Sequence, residues 1–166
     1  YRRASQKRLR LFVEYPSAVP GMTLPGPHTL KTGHWGNILE RTVVASDAFG
    51  GPLKKGRILM IQDCHYLSVA ADHPHLVVAR VAGYDTALYG LPPTEVHPIL
   101  FEAPGNGLLV ATTKLSQFVT ARYAPVDAWE PVWRMILNWV EPDGAIPPLR
   151  WIPTVRPTFS RDTALP

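Results

Sequence analysis

The stretch between positions 98 and 140 constrains the fold more than any other part of this chain. Residues 98–102 and 108–113 are apolar, strand-like runs joined by Pro104-Gly105-Asn106-Gly107, a turn whose glycines supply the positive φ that a tight antiparallel reversal needs. After a loop, Trp129, Val132, Trp133, Ile136 and Val140 recur at steps of three and four, building one apolar stripe on a helix over about residues 128–140. Asp127 and Glu130 imitate a capping box, whereas Pro131 prefers the first helical position, so the start is open by a few residues. Pro142 and Gly144 end the helix. Hairpin then helix is the closing unit of an α/β domain. The same stretch holds no nucleophile elbow, metal box or phosphate loop, so it speaks of architecture rather than chemistry.

Upstream, residues 9–15 alternate well enough for a strand that Pro16 ends, and residues 41–45 form a β-branched strand. Residues 57–62 are a continuous apolar run after Gly56, which suits a central strand covered on both faces. That run delivers Asp63-Cys64-His65-Tyr66 at its C-terminal end, where ligands sit in open α/β sheets. Residues 76–81 give another strand. The reading is an α/β fold: a mixed, β-rich sheet of about six strands with a C-terminal amphipathic helix, flavodoxin-like and incomplete in its helices. Residues 16–37, with four prolines and four glycines, read as a long loop that carries His28, His34 and Trp35.

At 166 residues the chain fits one domain with a single core. Its 18 prolines favour short elements and many loops. The net charge of +4 is local: Arg2, Arg3, Lys7, Arg8 and Arg10 lie in the first ten residues, and without these five the 17 basic residues fall to 12, against 13 acidic. The body is near neutral, which argues against nucleic acid as a partner. The division expected is a basic leader at 1–8, a solvated arm or connector, a domain at 9–141, and a proline-rich connector at 142–166 leading to a following domain. A chain that starts at Tyr1 and stops at Pro166 looks excised from a longer one. No apolar run approaches the roughly 20 residues of a membrane helix, so no membrane partner is expected. Cys64 is the single cysteine and cannot form an internal disulfide, which leaves the compartment open and export compatible with the sequence.

Catalytic candidates are sparse. Cys64 beside His65 invites a thiol nucleophile, but neighbours in a straight strand point to opposite faces, and Gln62, Asp63, His65 and Tyr66 lack the glycine of an elbow. A buried structural cysteine is the simpler reading. Asp63, Cys64, His65, Asp72, His73 and His75 could assemble a metal site, because the His73-Pro74-His75 spacing puts both rings on one side of an extended segment. Firmer ligand spacing is missing, and no cofactor is called for. Paired carboxylates for sugar hydrolysis would be drawn from acids near strand ends, Glu102 among them, with Asp63 and Asp85 the first choice. His34, Trp35, Tyr84 and Tyr89 lie in loops, where an aromatic ring can stack on a sugar.

The segments Glu40-Arg41-Thr42-Val43-Val44, Asp63-Cys64-His65, Val81-Ala82-Gly83-Tyr84-Asp85 and Val110-Ala111-Thr112-Thr113-Lys114-Leu115-Ser116, with the hairpin at 97–113 and the tryptophan-bearing helix after it, carry a resemblance. The chain resembles the class I glutamine amidotransferase-like, non-catalytic modules of bacterial multidomain proteins associated with glycoside hydrolases. The glycine-flanked cysteine of true amidotransferases is absent, so the resemblance implies a lost amidotransferase activity. It further implies an accessory module beside a glycosidase-like domain of the same polypeptide, supporting a cleft for carbohydrate. In that reading the 16–37 loop and Asp63, Cys64, His65 and Asp85 face the neighbour. The rival is a stand-alone hydrolase using Cys64 or a metal at the same strand end.

Overall fold

The computed structural model describes residues 1–29, 40–51, 53–59, 65–80, 96–105, 107–116 and 126–149. In chain order they form α1 (Arg2–Gln6), β1 (Leu11–Glu14), β2 (Pro27–Thr29), β3 (Glu40–Val44), β4 (Ile58–Leu59), β5 (His65–Leu67), β6 (Leu76–Arg80), β7 (Val96–Glu102), β8 (Leu108–Ala111) and α2 (Val126–Val140). Six strands make one sheet in the order β1-β8-β7-β6-β3-β4, and β2 pairs with β5 in a separate two-stranded sheet. The β1–β8 pair is parallel and the other described pairs are antiparallel. The class is α/β, mostly sheet, with a C-terminal helix.

The hairpin expected at 98–113 is β7 and β8, in register through Leu100↔Ala111, Phe101↔Val110 and Glu102↔Leu109. Gly105 and Gly107 turn it with φ of 98° and 86°, and a Cβ on Gly107 would meet the Leu9 carbonyl at 3.3 Å, so glycine is needed there for both space and conformation. Pro98 has no N–H to give to a ladder and is unusual in an interior strand. The sheet absorbs it with a register shift: Leu76 faces Leu100, but Val77 faces Pro98. Ile99 is the extra residue of this irregularity. Thr112 ties the site from the other side, its N–H bonding Ile99 O at 3.0 Å and its Oγ1 bonding Pro98 O at 3.0 Å.

Alternation along β8 sorts the core into two faces. Leu109 and Ala111 join Trp129, Val132 and Ile136 of α2, with Tyr66, Leu76, Ile99, Leu100 and Leu115, in the larger cluster. Val110 points the other way, to Phe101, Val19, Leu67 and Val69, where the covering among the described residues comes from the chain around Tyr15–Leu24 and Val69–Ala71 rather than from a helix. Trp133 adds an edge contact to Phe12 of β1, with ring centroids 5.8 Å apart. Among the described residues no helix is long and apolar enough to cross a membrane.

Two expectations change. The described part of the run at 57–62 does not read as a central strand: β4 pairs, among the described residues, only with β3 at the end of the sheet order and leaves Ile58 55% exposed, while 60–62 lie outside the described residues. Apolar composition alone does not separate a buried strand from an edge strand. His65 and Tyr66 belong to β5, opposite β2 and outside the six-stranded sheet, and the Pro27–Thr29 of β2 falls in the stretch read as loop. α2 bears out the helix expected at about 128–140; its Pro131 forfeits one ladder bond, against which the burial of Trp129, Val132 and Ile136 weighs. The basic leader forms the short helix α1, with no buried residue. Arg10 just after it donates to Trp139 O at 2.8 Å and lies 5.3 Å from the Trp139 ring, tying this end of the chain to the C-terminal end of α2.

Candidate functional site

The irregularity beside Pro98 also fixes where β6 begins. His75, immediately before β6, donates its backbone N–H to Leu100 O at 2.7 Å and accepts from Ala45 N–H at 2.8 Å, so it is clamped between β7 and the end of β3. Two residues beyond Leu100 is Glu102, the last residue of β7. Its Oε1 lies 3.8 Å from His75 Nε2, with side-chain exposures of 57% for Glu102 and 17% for His75. Bulged strands often re-aim side chains beside functional sites, and here the shift brings an acid and an imidazole together at one sheet end.

A cleft of about 800 Å³ opens there, beside Met22, Val69 and Ala71 of the smaller core cluster. His73, His75, Asp72 and Glu102 supply its polar groups, and Met22, Val69, Ala70 and Ala71 much of its apolar wall. Gly21, Thr23 and Pro104 complete the lining. The volume is in the range of small-molecule sites, which combine apolar walls with a few convergent polar groups. No Lys or Arg is among the described lining residues, while Asp72 and Glu102 are acids, so the cleft disfavours anions.

His75 is held from behind. Ser46 Oγ is 3.1 Å from His75 Nδ1, and the Ala48 N–H points at the same Oγ from 3.4 Å. Ser46 can donate to Nδ1 or accept from it, but the Glu102 carboxylate opposite Nε2 has only acceptors, which favours the neutral ring with its proton on Nε2 and Nδ1 accepting from the Ser46 hydroxyl. Phe49 packs edge-on to the imidazole at 6.3 Å. Burial lowers the His75 pKa below its ordinary value of 6.5, an effect the Glu102 carboxylate opposes. A second pair, Ser68 Oγ and His97 Nδ1 at 3.0 Å, is not part of the cleft lining. A serine-held imidazole is thus not in itself a site; what distinguishes His75 is the cleft and Glu102.

Of the residues singled out in the sequence, His73 and His75 meet in the cleft, but not for the reason expected. The segment is not extended at His73, which has a φ of 49°, in the left-handed region. His65 is exposed on β5. Among the described residues no three His, Cys, Asp or Glu side chains are grouped to hold a metal ion. His34, Trp35, Asp63, Cys64, Tyr84, Asp85 and Tyr89 lie outside the described residues. Glu102 was visible as one acid near a strand end among several, whereas Ser46 carried no signal: its role depends on a contact 29 positions away. No protein family, curated protein or solved structure shows significant similarity to this chain.

Proposed function

We propose that the chain is an accessory α/β module of a larger carbohydrate-processing protein, not itself catalytic, that presents the cleft between the Tyr15–Leu24 and Val69–His75 segments to a glycan. The observation that carries this reading is the cleft of about 800 Å³, acid- and imidazole-bearing and without a described cation. A neutral ligand rich in hydroxyls satisfies such groups, while phosphorylated or carboxylated ligands meet Asp72 and Glu102 as like charges. The resemblance to amidotransferase-like modules supports the same reading, since its hairpin and tryptophan-bearing helix correspond to β7, β8 and α2. The partner is then a glycosidase-like domain of the same polypeptide, which would supply the catalytic acids.

Isothermal titration of the chain with neutral oligosaccharides of different linkages tests this, alongside an Ala71→Trp variant that fills the cleft and whose fold is checked by circular dichroism. Saturable binding of at least one oligosaccharide, lost in Ala71→Trp, is the expected outcome. Absence of binding to every glycan, or equal binding by the folded variant, would remove the cleft as a glycan site.

A further inference from the structure

Resting on the glycan-binding reading, we propose that His75 and Glu102 form a hydroxyl-recognition pair. One hydroxyl of a neutral polyhydroxylated ligand bridges them, accepting from His75 Nε2–H and donating to the Glu102 carboxylate, and Ser46 is the positioning residue behind the imidazole.

The geometry selects the ligand chemistry. Nε2 and Oε1 are 3.8 Å apart, too far for a direct hydrogen bond but the span of a one-oxygen bridge. An oxygen about 2.8 Å from each atom subtends an angle of roughly 85° between them, within reach of a hydroxyl that both donates and accepts. An ammonium group has donors only: it can serve Glu102 but leaves Nε2–H without an acceptor. A carboxylate or phosphate has acceptors to offer Nε2–H but faces the charges of Glu102 and Asp72. A hydroxyl alone answers both sides of the pair.

Ser46 supports the donor. The acceptor-only Glu102 carboxylate favours the proton on Nε2, the Ser46 hydroxyl then donates to Nδ1, and Ser46 and Phe49 together hold the ring from behind. Glu102 is the more exposed partner, at the rim, where a ligand hydroxyl can reach its carboxylate. Met22, Val69 and Ala71 give the C–H face of a sugar ring an apolar surface beside this polar end.

The test is a titration of the full chain, uniformly labelled with ¹⁵N so that backbone amides and histidine rings are both read, with D-glucose, D-galactose, D-mannose, D-xylose and glycerol at pH 7.5. Ethylammonium serves as the cationic control. The expected result is a saturable shift of the His75 ring signals with at least one of the polyols. Glu102→Ala should weaken that binding about tenfold or more, the usual cost of losing a hydrogen bond to a charged group, while Glu102→Gln retains most of it. Ser46→Ala should weaken binding several-fold and change the tautomer balance of His75, with Ser46→Thr restoring both, a readout that a merely structural serine would not give. A polyol that shifts cleft amides but leaves the His75 ring unmoved, or binds Glu102→Ala as well as the parent, overturns the pair and leaves the glycan reading standing. Ethylammonium shifting the His75 ring while no polyol does, or no probe acting at all, overturns both.

Discussion

The two faces of the sheet are built from the same alternating strands but are covered differently. On one, α2 lays a continuous stripe of Trp129, Val132 and Ile136 over β7 and β8, and each of these side chains is at most 1% exposed. On the other, Val19, Met22, Val69 and Ala71 come from irregular chain, and the cleft opens beside them. A helix covers a sheet as a rigid unit, with its own backbone hydrogen bonds satisfied. Loops cover it piecemeal, leaving gaps with backbone and polar side chains at their rims, where binding sites concentrate. The helical face holds the fold and the loop face is free to specialise.

The largest effect that sharpens this contrast is Trp129→Ala. It removes the biggest fully buried side chain, under α2, and should cost about 3–5 kcal/mol in a urea melt, a large part of the total stability of a domain this size. Val69→Ala on the other face should cost about 1.5 kcal/mol, from the two buried methyl groups. A loss as large as that at Trp129 would break the contrast, because it would mean the loop face is as tightly packed as the helical one.

The third effect is read against pH. Burial disfavours the charged form of His75, so its pKa in the folded chain lies below the 6.5 expected when unfolded. As pH falls from 6.5, the unfolded chain takes up this proton first, and the contribution of neutral His75 to stability is lost until the folded-state value is passed, after which it changes no further. Urea melts between pH 8 and 5 should show the parent losing more stability than His75→Gln over that window. Equal slopes would contradict the burial of the imidazole. The smallest effect is expected for Arg10→Ala, at about 0.5–1 kcal/mol, since the cation stacks on Trp139 at the surface.

The legible parts of the sequence were those with local signals. The hairpin announced itself through glycines at fixed places, and α2 through its period, with Pro131 accommodated inside it because burial of the stripe outweighs one lost ladder bond. The 57–62 run was less legible because an apolar string says nothing about which neighbours a strand acquires, and among the described residues β4 acquires one. The site was half legible. His73-Pro74-His75 stood out as a pair, yet its geometry comes from a left-handed His73 and from a register shift beside Pro98, which no local pattern encodes. Ser46 and Glu102 reach His75 through strand pairing across 29 and 27 positions, respectively, and only the assembled sheet brings them together.

Amide hydrogen exchange across the whole chain tests the division between the two faces most directly. The amides of β7, β8 and the buried turns of α2 should exchange only through global unfolding, while those around Tyr15–Leu24 and Val69–His75 open locally at a free energy lower by a few kcal/mol. Equal protection on both faces would contradict the division, and would mean that the cleft is cut into a surface as rigid as the helical core.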